Sequence, residues 1–521
     1  MTGQHEKSTS DLRKAAFDGM IWGVGGKILL VAANFAVLMI TSRVLSPAEF
    51  GVFAAATIFT DFSWALATST LGVAMIQKKE LTQDNYDAGF FGFLALGLGL
   101  TVIMTVGSLP AERILKAPGL TPVLCTLGLF VPFKLLSGFY GAVLQRRLDM
   151  RFYQMTQNLP QILGSTGVTI ISAIAGLGVW SLVLGFAAAT MLEFCMTVAR
   201  AKVRPRLPKS SHALKELLAI GSASATNRLT NFVATNADRI IAGVAFGASA
   251  LGIYARAYSL MMTPVKLLGL AASRVFLPVF SRMQHDEERL RAALEKVLAA
   301  QTLIYVPLSF GFVFAAPLLV RVVLGEGWAQ VTPAAQLLFI ALFARLGYVV
   351  SEAASIAVGE AWGAVRRQAA YAVAVIIGGG VGCLFGVVGL AAGVTAALVF
   401  FYLLSLRQSC VRFGCSASTI VSAHLRATAI AAACALPALA AGNVHVAALT
   451  RWKALDIPGV VVFWGCYGLL VIFGPDRLWG EAFADLRNSV ANVIKSKLPF
   501  PLRASRKMES AAANTGGVNG K

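Results

Sequence analysis

The chain alternates long apolar runs with short polar or basic connections. Fourteen runs reach or approach bilayer length, which takes about 20 residues in a helix. They cover 17–42, 50–76, 88–109, 120–144, 153–175, 178–199, 213–243, 248–279, 297–324, 333–358, 363–385, 387–406, 417–441 and 457–474. The first and seventh are long enough to tilt or bend. This pattern predicts an all-α polytopic membrane protein. The polar lead-in before the first run, with no small-residue cleavage site behind a short apolar core, does not read as a cleavable signal. After Pro475, the residues Leu478, Trp479, Phe483, Leu486, Val490, Val493 and Ile494 recur at helical spacing beside Arg487, Lys495 and Lys497. That pattern predicts an amphipathic helix on the membrane surface. From residue 504 onward the small polar composition predicts disorder.

A repeat runs beneath the pattern. Phe50-Gly51-Val52-Phe53-Ala54 returns 201 positions later as Leu251-Gly252-Ile253-Tyr254-Ala255. Gly178-Val179, Leu182 and Gly185 return 208 positions later as Gly386-Val387, Leu390 and Gly393. Six spans separate the matched positions, and an even number preserves orientation. The halves therefore read as parallel repeats about an axis along the membrane normal. The chain divides into an N-terminus (1–14), an N-lobe of spans one to six (15–203), and a C-lobe of spans seven to twelve (213–412). Spans thirteen and fourteen (413–475) and a surface helix with its tail (476–521) follow.

Composition agrees with a lipid environment: hydrophobic residues make up 57%, charged residues 13%, and the mean hydropathy is +0.71. Basic residues set the orientation, because cytoplasmic loops retain Lys and Arg. With the N-terminus inside, 31 of the 45 basic residues fall in cytoplasmic segments and six in the opposite loops, Arg43, Arg113, Lys116, Arg321, Arg451 and Lys453. Both ends are therefore expected in the cytoplasm. The formal charge of +20 then reflects topology and contact with anionic membrane lipids, not nucleic acid.

The loops are too short for a soluble catalytic domain. None of the seven cysteines lies in an external loop, so no structural disulfide is expected. Cys410, Cys415 and His424 match no zinc spacing. HExxH, GxSxG and phosphate-loop motifs are absent. Glycine runs within spans, such as Gly378-Gly379-Gly380, suit close helix packing. No catalytic centre, metal site or cofactor is expected.

The informative chemistry is charge inside the spans. Twelve of the charges within these runs stand out: Lys27, Asp61, Lys134, Glu193, Arg228, Asp238, Arg239, Arg256, Lys266, Arg274, Arg345 and Glu352. At about 3 kcal/mol each at a helix centre, they would together exceed the ~5–15 kcal/mol net stability of a fold if they all faced lipid. They must pair, snorkel or line a wet cavity. Eight are basic and four acidic, so cations remain after every acid is paired. A cavity with that surplus favours an anionic substrate. Lys27 shifted by 201 lands on Arg228, whereas Arg256 lands on Ala55. Lys27, Arg228 and Arg256 form the candidate anion-binding set. Asp238 and Arg239 project about 100° apart on one helix. Asp61, Glu193, Asp238, Arg239, Arg345 and Glu352 are candidates for gating or ion coupling, with structural ion pairing as the alternative. Arg345 and Glu352 lie seven residues apart, on one face of span ten.

Two segments carry a family resemblance. Asn236-Ala237-Asp238-Arg239-Ile240-Ile241 with Phe246-Gly247 and Ala250-Leu251-Gly252-Ile253-Tyr254-Ala255 is one. Arg43-Val44-Leu45-Ser46-Pro47-Ala48-Glu49-Phe50-Gly51-Val52-Phe53 is the other. Over about residues 15–475 the chain resembles the Wzx-type polysaccharide flippases of the multidrug/oligosaccharidyl-lipid/polysaccharide exporter superfamily, nearest the succinoglycan and colanic-acid branch. The resemblance implies two six-helix lobes about a cationic cavity and alternating access in the bacterial inner membrane. The implied substrate is an undecaprenyl-pyrophosphate-linked oligosaccharide moved to the periplasmic leaflet for exopolysaccharide synthesis. Implied partners are the polymerase and chain-length regulator of the same pathway. In this picture Lys27 and Arg256 supply the first- and eighth-span cations, and Arg228 stands in for the second span, whose only charge is Asp61. The alternatives are a lipid-II flippase, a drug antiporter with an acidic binding lobe, and a polysaccharide polymerase or ligase, which would need a long external loop.

Overall fold

The computed structural model describes residues 9–207, 212–443 and 456–473. The surface helix and tail expected over 476–521 lie outside the described residues, as do residues 1–8 and the side chains of Lys27 and Arg274. Helical segments occupy all fourteen apolar stretches. Among the described residues, eight helical stretches are, on their own, long and apolar enough to cross a membrane. The protein is a polytopic α-helical membrane protein.

In chain order, α1 is Thr9–Val44, α2 Pro47–Ala67 and α3 Val73–Gln77, with a π-helical turn at Thr68–Gly72 joining the last two. Next come α4 (Gln83–Ile114), α5 (Leu120–Arg146), α6 (Met150–Pro160), α7 (Thr169–Ile174) and α8 (Val179–Ala201). Between α6 and α7 the chain widens into a π-helix, Gln161–Val168. Pro160 lacks an N–H, and the freed carbonyl loosens the ladder there. The second half holds α9 (His212–Phe246), α10 (Ala248–Arg282), α11 (Glu287–Leu319), α12 (Thr332–Ile340), α13 (Leu342–Ala357), α14 (Ala361–Gly382) and α15 (Gly386–Phe413). Finally, α16 (Ala417–Asn443) and α17 (Asp456–Phe473) pack against each other and against α11.

Capping defines several starts. Ser46 and Glu49 close a capping box at α2, with Pro47 in its first turn. Thr82 and Asn85 form the corresponding reciprocal pair at α4. On α14 the residues Val373, Ile376, Ile377 and Val381 are exposed at spacings of three and four. Such an apolar stripe would drive aggregation in water, and in a bilayer it is the lipid face. The opposite side of α14 approaches α15 backbone to backbone: a Cβ on Gly393 would stand 1.9 Å from the Gly378 carbonyl oxygen. The glycine run predicted to serve close packing does so here.

The two halves touch at both ends of the bundle. At one end, a Cβ on Gly51 would lie 1.7 Å from the Ala248 carbonyl oxygen, and one on Gly252 2.0 Å from that of Pro47. The repeat-related glycines thus form a single crossing of α2 over α10. In the same layer the Trp328 indole N–H donates to the Ser42 carbonyl, and Arg43 donates to the Val322 carbonyl at 3.0 Å. At the other end, Lys78 pairs with Glu216 at 2.6 Å, and Gly221 packs on the Thr70 backbone. These are called below the Gly51 end and the Lys78 end.

Candidate functional site

The crossing at Gly51 determines what the next turn of α10 meets. Gly247 (φ +84°) allows α9 to turn into α10, and the Ala248 amide donates to the Lys116 carbonyl at 3.4 Å. Gly252 then draws α10 onto α2, so Arg256, one turn on, lies over the Phe50 ring with its guanidinium carbon 3.2 Å from the centroid. The Trp328 ring lies 5.7 Å away and packs edge-on against Phe50. Arg256 Nη2 donates to Thr41 Oγ1 at 3.2 Å. The side chain is 8% exposed, and its Nε is buried without a hydrogen-bond partner. A planar guanidinium stacked on an aromatic face is well held. A buried, unmatched donor on it is costly unless something anionic arrives.

Beside it lies a cavity of about 240 Å³ between α1, α9 and α10. Three cations line it, Arg239, Arg256 and Lys266, together with the neutral groups Asn34, Ser259 and Thr263. No carboxylate is among its lining residues. Arg239 rests 5.2 Å from the Tyr258 ring centroid, and its Nε is likewise buried without a partner. The cavity has the donors and the charge to take a phosphate group and the hydroxyls attached to one.

The sequence-derived candidates distribute unequally around this cavity. Arg256 and Arg239 line it. Lys27 belongs to α1 one helical turn before Val31, which lines the cavity, but its side chain lies outside the described residues. Arg228 is exposed on α9, eleven residues from Arg239, and does not line the cavity. Lys266, noted in the sequence only as a charge within span eight, joins the site. The signal for it was its spacing: Arg256, Ser259, Thr263 and Lys266 share one face of α10.

The acids have other partners. Asp238 Oδ2 accepts from the Tyr254 hydroxyl at 2.6 Å, and Oδ1 accepts from the Arg239 backbone amide at 2.9 Å. Arg345 lies within electrostatic reach of Asp238, and its guanidinium is 5.7 Å from the Tyr348 ring. Glu352, on the same helix as Arg345, pairs with Arg367 of α14 at 2.8 Å. Arg367, near the start of the run over 363–385, is the partner that sequence reading missed. Glu193 is 1% exposed and pairs with Lys134 at 2.6 Å, while Gln157 donates to its second oxygen at 3.1 Å. Asp61, on α2, lies within electrostatic reach of both Arg239 and Lys134.

Among the described residues no three His, Cys, Asp or Glu side chains gather as metal ligands. His424 is engaged by the Tyr402 hydroxyl at 3.0 Å and the Ile420 carbonyl at 2.8 Å. In the α15–α16 loop, burial pushes the Cys415 thiol up to about 12, far from a metal-binding thiolate at neutral pH.

Comparison with known proteins places this geometry. A family profile described as "Polysaccharide biosynthesis protein" matches residues 40–333, more than half of the chain. The chain belongs to that family. The chain is 25% identical over 317 residues to the succinoglycan biosynthesis transport protein ExoT of Rhizobium meliloti (strain 1021), covering 61% of this chain and 64% of that one. It is 23% identical over 333 residues to the lipopolysaccharide biosynthesis protein WzxC of Escherichia coli (strain K12), covering 63% and 67%. The matched region thus spans just under two thirds of the length of ExoT. Among solved structures, the fold is similar to the lipid II flippase MurJ in an inward closed conformation, with TM-score 0.69 and 12% identity over 87% of this chain and 98% of that one. An inward-facing multidrug resistance MATE family transporter aligns with TM-score 0.59 and 15% identity, covering 76% and 98%. At these identities the likeness is one of fold. The resemblance drawn from the motif segments and the family match agree.

Proposed function

We propose that this protein flips an undecaprenyl-pyrophosphate-linked oligosaccharide from the cytoplasmic to the periplasmic leaflet of the bacterial inner membrane, and that it is a transporter, not an enzyme. The observation that carries the reading is Arg256: a nearly buried guanidinium, stacked on Phe50, with a donor left open beside a cavity free of carboxylates. Its relatives' names, among them a succinoglycan transport protein, support the same substrate class.

In this reading fourteen spans cross with both termini in the cytoplasm. Twelve of them form two parallel six-helix lobes, to which the last two are added. The Gly51 end then faces the periplasm and the Lys78 end the cytoplasm. The pyrophosphate engages Arg256, Arg239 and Lys266, with Lys27 one turn away on α1. Asn34, Ser259 and Thr263 offer hydroxyl and amide contacts to the proximal sugar. Closure of α2 on α10 at Gly51 and Gly252 keeps the site from the periplasm, and parting of that crossing releases the glycan outward. A cycle of this kind requires differential affinity for the two states. Arg256 supplies it, because Phe50 and Thr41, which hold it, belong to the opposite half.

The test is export in a flippase-deficient strain complemented with this protein. Arg256→Ala and Lys27→Ala are expected to abolish secreted polysaccharide while the protein inserts at normal abundance. Normal secretion by Arg256→Ala would sink the assignment.

A further inference from the structure

A second basic pocket lies away from the cavity, at the Lys78 end of the second half. About 570 Å³ opens between the start of α14 and the end of α15. Arg366, Arg367, Arg407 and Arg412 line it, with Glu360 the only acid among its lining residues. That acid is occupied: Glu360 accepts from Arg412 Nε on one oxygen and from Gln408 Nε2 at 3.0 Å on the other. Arg367 is 5% exposed, directs its Nε and Nη2 to Glu352 behind the pocket, and keeps Nη1 buried with no partner. The pocket therefore holds a surplus of positive charge with one buried donor open. Arg366 and Arg407 are exposed at its mouth. Its rim is apolar on one side: Trp362 is 76% and Val411 74% exposed, and Phe400 and Leu403 continue the exposed apolar surface of α15 away from it.

We infer that this pocket binds a phosphate group, and that the source is the headgroup of an anionic membrane phospholipid. Guanidinium groups match phosphate oxygens in geometry and charge. An exposed tryptophan beside arginines at a helix end suits the membrane–water boundary, and the apolar flank of α15 provides a path for acyl chains. The site shares no residue with the Arg256 cavity. Only its leaflet, the cytoplasmic one, depends on the topology proposed above.

The test uses the purified full-length protein in detergent, with dioleoyl phosphatidylglycerol, dioleoyl phosphatidylcholine or inorganic phosphate as probes, and reads bound lipid by native mass spectrometry. The wild type is expected to retain phosphatidylglycerol over phosphatidylcholine. Arg366→Gln/Arg407→Gln, both surface changes, is expected to weaken that retention at least about tenfold, as loss of charged phosphate contacts predicts. Arg256→Gln is expected to leave this lipid in place, which separates the pocket from the transport cavity. If inorganic phosphate displaces the lipid at millimolar concentration, the phosphate site stands and its source is a soluble phosphate. Equal retention of both lipids, or unchanged retention in the double variant, overturns the proposal. Arg367→Lys serves as a second probe. It keeps a cation for Glu352 but loses the open Nη1 donor, so a folded variant that binds phosphatidylglycerol as tightly as the wild type would also count against it.

Discussion

Lys134, half-buried, and Arg256, buried, are cations beside an aromatic ring, one in each half, yet they have opposite surroundings. Lys134 lies 4.7 Å from the Trp64 centroid and is neutralised by Glu193 at 2.6 Å, with Gln157 completing the carboxylate. Arg256 lies 3.2 Å from the Phe50 centroid and has one hydroxyl partner, no carboxylate partner among the described residues and an unmatched Nε. A matched pair has its desolvation offset internally and fastens α5 to α8. An unmatched guanidinium leaves part of that cost open for an arriving anion to relieve. Local matching of charge separates the paired cation from the one proposed to bind substrate.

Breaking the matched pair is the largest expected effect. Lys134→Met leaves Glu193 buried without its countercharge, with only the Gln157 amide donating to it, which should cost ~3–5 kcal/mol and lower the melting temperature in detergent. The double variant Lys134→Met/Glu193→Leu should recover most of the loss. If the double variant melts as early as the single one, the pair is not a self-contained unit. Next comes Arg256→Ala, which removes a charged contact worth ~1.5–3 kcal/mol. Export per inserted molecule should fall ~10-fold or more, with stability little changed. Arg256→Lys should rescue only in part, because the ammonium lacks the planar fork that stacks on Phe50.

Gly51→Val tests the crossing that positions Arg256. Its Cβ would meet the Ala248 carbonyl at 1.7 Å, an overpacking of ~1–3 kcal/mol that should part α2 from α10. In a cysteine-free background, Thr41→Cys should then react faster with a membrane-impermeant thiol reagent; an unchanged rate would show that the crossing does not close that end. Smallest is Lys78→Ala. Glu216 in that pair is 41% exposed, so the loss should stay within ~0.2–1 kcal/mol and shrink in high salt. A large drop in melting temperature would give the Lys78 end a greater role than its exposure allows.

Much of the architecture was legible in advance. Hydropathy marked out the helical stretches, and the recurrence at 201 picked out Gly51 and Gly252, which meet in one crossing. Arg256, singled out because its repeat partner is Ala55, lines the cavity. Arg228, singled out by the same shift from Lys27, is exposed away from it. Sequence symmetry marks equivalent places in two helices but does not say whether both face the same space. Arg367 was hidden for a related reason. It lies near the start of one span and its partner Glu352 belongs to the preceding one, so no single stretch of sequence displays the pair.

The sequence by itself determined that this chain is helical, that it belongs in lipid and that its spans hold more cations than acids. Each follows from local properties, the length and hydropathy of runs and the identity of residues within them. The tertiary structure alone decided which cations are spent on acids and which stay open. Pairing depends on the rotation and crossing of helices far apart in the chain, and a rotation of about 100° per residue turns a neighbour in sequence toward a different partner. Lys134 was matched across α5 and α8, while Arg239, Arg256 and Lys266 converged on a cavity without a carboxylate.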